Sequence, residues 1–157
     1  MFNFEYLKRL RGIDPLLHDN TTAIANVFDM AGVHKALIVA ELGVIDAAVT
    51  VLKLQGSEVL TDATTLATPS DITGTIFGTS VDPLTGVTST TPADTQDGKA
   101  YRWILNCHNQ PRYVQIVAVA GNGTTGVNMA ASAYVITDNG PLASGSDSGF
   151  AGTLVVN

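Results

Sequence analysis

The sequence predicts an all-β fold: an antiparallel β-sandwich, jelly-roll-like, with a short N-terminal arm or helix before it and a C-terminal strand after a Gly/Ser-rich linker. Three observations carry that expectation. The chain has 157 residues, of which 45% are apolar and only 14% charged, enough for one ordinary core with wide uncharged surfaces. It holds 19 threonines and 15 glycines, and β-branched side chains fit a pleated surface while glycine supplies turns. From Thr22 onward the apolar residues recur with period two, in short runs bounded by Gly, Asn, Asp and Pro.

The elements follow in order. Phe2, Tyr6 and Leu10 are spaced by four with Leu7 beside them, which suits a short amphipathic helix whose basic face carries Lys8, Arg9 and Arg11. Gly12, Asp14 and Pro15 stop it. Such an arm packs either on its own domain or on a neighbouring subunit. Strands are expected over residues 23–30, 35–42, 47–55, 59–66, 74–78, 99–108, 112–120, 127–137 and 153–156. Nine strands need two layers. In the 47–55 strand Val49, Val51 and Leu54 read as core, with a bulge needed to reconcile Thr50 and Lys53. The 112–120 strand places Val114, Ile116 and Ala118 on one face and Tyr113, Val117 and Val119 on the other, so it reads as a central strand.

The links complete this reading. Asn109–Arg112 reads as a tight hairpin and Gly121–Gly126 as the next turn, giving an antiparallel meander from Lys99 to Thr137. Residues 79–97 form one long surface loop of turn formers. Residues 138–149 are a Gly/Ser/Asp-rich stretch before a last strand that pairs with a sheet edge, its own or a neighbour's. The organisation is therefore an arm over 1–20, a sandwich over 21–137 and a tail over 138–157.

Little in the sequence points to bond chemistry. The formal charge of −6 and pI near 4.7 argue against a protein that neutralises phosphates, so nucleic acid is not an expected partner. The N-terminal charges follow the apolar residues, the reverse of a secretory signal, and no apolar run is long enough to span a membrane. Cys107 and His108 are adjacent, and consecutive residues of a strand face opposite ways, so Cys107 reads as a core residue and His108 as an edge residue. His18 and His34 show no HxH or HxxxH spacing, and no zinc site is expected. Gly121–Gly126 superficially matches a phosphate loop but lacks the following Lys-Ser or Lys-Thr and a helix. The carboxylates read as turn residues, and Tyr101 and Trp103, which share a strand face, read as core. No catalytic residue, metal site or cofactor is assigned.

One resemblance adds to this reading. The apolar strand over residues 35–43, Asp46 with the strand over 48–57, the variable loop, Tyr101-Arg-Trp-Ile-Leu-Asn-Cys, Pro111-Arg-Tyr-Val-Gln-Ile and the aliphatic strand ending Ala133-Tyr-Val-Ile-Thr together resemble the small head decoration, or cement, proteins of tailed bacteriophages. The resemblance covers residues 22–137 and leaves out the basic arm and the Ser/Gly/Asp tail. It implies a non-enzymatic virion protein, made in the host cytoplasm, that sits on the outside of the capsid and stabilises it against internal DNA pressure. The implied partners are the major capsid protein and further copies of the chain, commonly as a trimer. The arm residues Phe2, Phe4, Tyr6, Lys8, Arg9 and Arg11 are the candidate contact with the shell or a neighbouring subunit. The alternative is a tail, neck or host-attachment module that binds a glycan. Exposed aromatics in the long loop would favour it, and none lies between Phe77 and Tyr101.

Overall fold

The computed structural model describes residues 7–83, 85–136 and 150–156. In chain order its strands are β1 (Leu7–Arg11), β2 (Leu16–His18), β3 (Thr22–Ile24), β4 (Phe28–Asp29), β5 (Lys35–Ile45), β6 (Val49–Ser57), β7 (Leu60–Asp62), β8 (Thr65–Leu66), β9 (Ser70–Asp71), β10 (Ala100–Asn106), β11 (Tyr113–Ala120), β12 (Val127–Ile136) and β13 (Phe150–Val156). A six-stranded sheet runs β1-β12-β5-β10-β13, with β2 also on β12. A five-stranded sheet runs β3-β11-β6-β9, with β4 also on β11. The two sheets pack against each other as an all-β sandwich.

The sequence alternation explains which face goes inward. On β5, Ala36, Ile38, Ala40 and Leu42 are buried, and their partners Ala131, Ala133 and Val135 on β12 are buried beside them. Small and large side chains share rows across this sheet: Ala131, Ala40 and Tyr101 form one, Ala133, Ile38 and Trp103 the next. The alanines leave room for the rings, and close packing demands that volumes match in this way. Phe77 meets Tyr101 and Trp103 edge-on, with centroids 5.0 and 5.2 Å away. The indole N–H of Trp103 donates to the Thr75 carbonyl at 2.8 Å, so the largest buried side chain leaves no polar atom unpaired. Each such aromatic or aliphatic side chain contributes about 1.5–3 kcal/mol by leaving water.

The connections differ from the expected meander. Consecutive long strands change sheet: β5 lies in the six-stranded sheet, β6 in the five-stranded one, β10 in the first, β11 in the second and β12 in the first again. Residues 109–112 and 121–126 are therefore arches between layers, not hairpins within one. A short 3-10 turn over Cys107–Asn109 begins the first arch, and Pro111 carries the chain across, with its ring packed on Gly56. Turn-forming residues signal a change of direction without stating the layer that receives the next strand. This alternation gives the sandwich its jelly-roll-like winding.

Other expectations are refined. Residues 7–11 are a strand and not part of a helix, because β12 offers them an unpaired edge; Leu7 to Arg11 pair antiparallel with Ile136 to Ser132. The expected 59–66 strand is the β7-β8 hairpin, bent where the Asp62 carboxylate accepts the Thr64 N–H at 2.8 Å. Residues 74–78 form no strand: Ile72 and Phe77 donate to Leu54 and Leu52 on β6, but left-handed glycines at 74 and 78 bend the chain away. The Thr75 hydroxyl fills the gap by accepting from Leu54 N. The bulge on β6 falls at Thr50, between the pairs Val51↔Val119 and Val49↔Ala120. It puts Val49, Leu52 and Leu54 in the core and turns Val51 outward. β11 is central, with β6 on one side and β3 and β4 on the other. Its inward Val114, Ile116 and Ala118 are fully buried. The long loop folds back on itself over 80–89 through Asp82 N to Val87 O and Ser89 N to Ser80 O, both 2.9 Å. The last strand, β13, pairs parallel with β10 of its own sheet.

Candidate contact surface

Residues 7–18 line one edge of the six-stranded sheet. β1 and β2 both pair with β12, and between them Gly12 N donates to Ala131 O while Ala131 N donates to Ile13 O, each at 2.9 Å. A Cβ at Gly12 would lie 2.8 Å from the Ala131 oxygen, so glycine permits this close approach. Ile13 is buried, and Leu10 packs against the core. Among the described residues, no strand pairs with the outer side of β1 or β2.

This edge carries both charge and apolar surface. Arg9 donates through Nε and Nη2 to Ser132 Oγ at 3.2 and 2.9 Å, which holds its guanidinium against the sheet. Arg11 is exposed and ion-paired with Asp14. On β2, Leu16 and Leu17 are 58% and 55% exposed, side by side in sequence. Of the expected contact residues, Arg9 and Arg11 lie on this edge. Phe2, Phe4 and Tyr6 lie outside the described residues, as does the side chain of Lys8. The sequence reading did not single out Leu16 and Leu17, whose apolar dipeptide beside Pro15 looks like any short core segment. Elsewhere Val81 and Val87 stand exposed on the folded-back loop, and Ile24 on the outer face of β3.

The residues considered for chemistry have structural work. Cys107 is buried, which pushes its thiol pKa up to about 11, away from the reactive thiolate. Cys107 and His108 sit in the 3-10 turn after β10, where His108 faces solvent and makes no bond to the thiol. The Gly121–Gly126 arch presents backbone N–H groups as a phosphate loop would, but two carboxylates of the chain already accept three of them. Asp46 accepts from Thr125 N and Gly126 N, each at 2.6 Å, and Asp19 accepts from Gly123 N at 3.0 Å. The Thr125 N–H bond leads the effects that hold Asp46 below the usual carboxylate range. Asp71 is lowered chiefly by the side chain of Lys53, then by Gln55. Asp97 accepts from Ile45 N at 2.8 Å.

Arg112, which opens the Arg-Tyr-Val element, makes a two-pronged ion pair with Asp29 at 3.1 and 3.0 Å and lies 4.8 Å from the centre of the Tyr113 ring. It fastens β4 to the start of β11. One pairing was invisible in the sequence: His34 Nδ1 and His108 Nε2 are 2.8 Å apart. Among the described residues no group of three or more His, Cys, Asp or Glu side chains gathers around a common point. Among them, too, no helix is long and apolar enough to cross a membrane. Comparison of the chain with protein-family models, with curated proteins and with solved structures gives no match.

Proposed function

We propose that this chain is a non-enzymatic decoration protein of a tailed-phage capsid, which binds the outside of the shell and adjoining copies of itself, as a trimer, through the edge formed by residues 7–18. The observation that supports this reading most is the edge itself. It combines two arginines with two exposed leucines, on strands whose outer backbone groups face away from the sheet. Sheet edges are templates for pairing with another chain. The chain carries a net charge of −6, so Arg9, beside an Arg11 offset by its Asp14 partner, gives this edge a positive charge that favours an acidic shell or neighbour. A clamp of this kind acts by burying surface across subunits. It stabilises the assembled state by RT ln(1 + [L]/Kd), about 2.7 kcal/mol per site at a hundredfold excess over Kd.

The test compares phage heads with and without the bound protein. Decorated heads release DNA at a higher temperature, the protein is present at a stoichiometry comparable to the major capsid protein, and the copies cluster in threes. Leu16→Asp with Leu17→Asp leaves the sandwich folded and abolishes decoration. Equal thermal release with and without the protein, or only a few copies per particle, discards the decoration reading in favour of a tail, neck or glycan-binding attachment module.

A further inference from the structure

We propose that His34 and His108 form a two-nitrogen site for a late first-row divalent metal ion, Cu2+ foremost, with its remaining positions open to water. The inference is independent of the decoration reading. His34 immediately precedes β5 and His108 follows β10, and the antiparallel pairing of these strands brings the two ends together across 74 residues of sequence. Cys107 N donates to His34 O at 2.9 Å, which continues the ladder one step past Asn106↔Lys35. The Asn106 side chain accepts from His108 N and sets the turn. The backbones that carry the two imidazoles are thus fixed by hydrogen bonds on both sides.

The geometry suits a chelate. Nδ1 of His34 and Nε2 of His108 are 2.8 Å apart, with ring centroids 4.8 Å apart and planes inclined by 55°. In the metal-free pair one nitrogen must carry the hydrogen and the other must be bare. A metal ion would displace that hydrogen and sit to one side of the line between the nitrogens, with each ring turned to aim a lone pair at it. With metal–imidazole bonds of about 2.0–2.1 Å, two nitrogens in adjacent positions of a square or octahedral site lie about 2.9 Å apart, and in a tetrahedral site about 3.3 Å. The observed separation of the two nitrogens is already that of neighbouring ligands, so binding needs the two rings to turn toward a common point and no movement of the backbone, and imidazole donors rank Cu2+ first by the Irving–Williams order. His108 is exposed and His34 half-buried, so an ion has access from solvent. An oxygen-preferring ion such as Mg2+ finds no suitable donor here.

Calorimetry of the full chain at pH 7.5 with CuCl2, NiCl2, ZnCl2 and MgCl2 separately tests this. The expected result is one site per chain, with affinity falling from Cu2+ to Ni2+ and Zn2+, and no Mg2+ binding. His34→Gln and His108→Gln each weaken Cu2+ binding by about tenfold or more, and His18→Gln leaves it unchanged. Electron paramagnetic resonance of the unaltered Cu2+-loaded chain shows coupling to two imidazole nitrogens, a readout that does not depend on how the variants fold. Cu2+ affinity unchanged in either His34→Gln or His108→Gln, binding lost with His18→Gln, or coupling to fewer than two imidazoles overturns the assignment.

Discussion

Pro111 lies on Gly56: a Cβ added to this glycine would meet the proline Cγ at 2.8 Å and its Cβ at 3.0 Å. The contact holds the arch between β10 and β11 against the end of β6. The ring is stiff, and the carbonyl of Tyr113 stands 3.2 Å away on another side, so neither neighbour can yield cheaply. Gly56→Ala therefore destabilises the fold by about 1–3 kcal/mol through overpacking. The midpoint of urea unfolding measures it, and an unchanged midpoint contradicts the close contact.

Asp46 makes stability depend on acidity. Its folded pKa lies below the model-peptide value of 3.8, with the Thr125 N–H bond as the leading cause. A group depressed on folding contributes stability that is fully present above the unfolded value and is lost as pH falls through the folded one. Asp46→Asn thus lowers the urea midpoint at pH 7, and the gap between the two proteins narrows below about pH 4. A gap that stays constant from pH 7 to pH 3 contradicts this role.

Burial keeps the Cys107 thiol protonated at physiological pH. In the folded protein a thiol reagent at pH 8 reacts on the timescale of unfolding, and addition of denaturant makes the reaction immediate. Rapid labelling of the native protein, at the rate of a small thiol, is the contrary result.

Truncation separates the two parts of the arm. Sequence alone suggests that deletion of residues 1–11 leaves a folded sandwich that no longer binds particles. Because Leu7–Arg11 is a paired strand and Leu10 touches the core, that deletion uncovers the edge of β12 and lowers thermal stability. Deletion of residues 1–6 retains β1, so the 1–11 truncation melts at a lower temperature than the 1–6 truncation. Equal melting temperatures for both truncations contradict the structural role of β1.

The strands with long period-two runs, β5, β10, β11 and β12, were legible because one face is packed with aliphatic residues whatever the order of connection. The destination of each turn was not. Asn109–Arg112 would suit a hairpin as well as an arch, and the sheet that receives β11 distinguishes them. The spacing of Phe2, Tyr6 and Leu10 fits about two turns of helix and also four two-residue repeats of a strand, so periodicity over so short a stretch decided nothing. The basic residues of the arm were legible as contact candidates, whereas the exposure of Leu16 and Leu17 depends on which strand edge they join. The His34–His108 pair arises from register alone, and no local spacing announces it.

The path of the six-stranded sheet also constrains how the chain is born. Its first strand waits for a partner 123 residues further along, as the Arg9–Ser132 bond illustrates, and β10 receives its second neighbour only once residues 150–156 exist. During synthesis, β1 and β10 are therefore unclosed ends exposed to other nascent chains. Assembly dominated by such distant partners places refolding in the millisecond-to-second range of slow β proteins, and aggregation during translation is the hazard that the order of strands builds in.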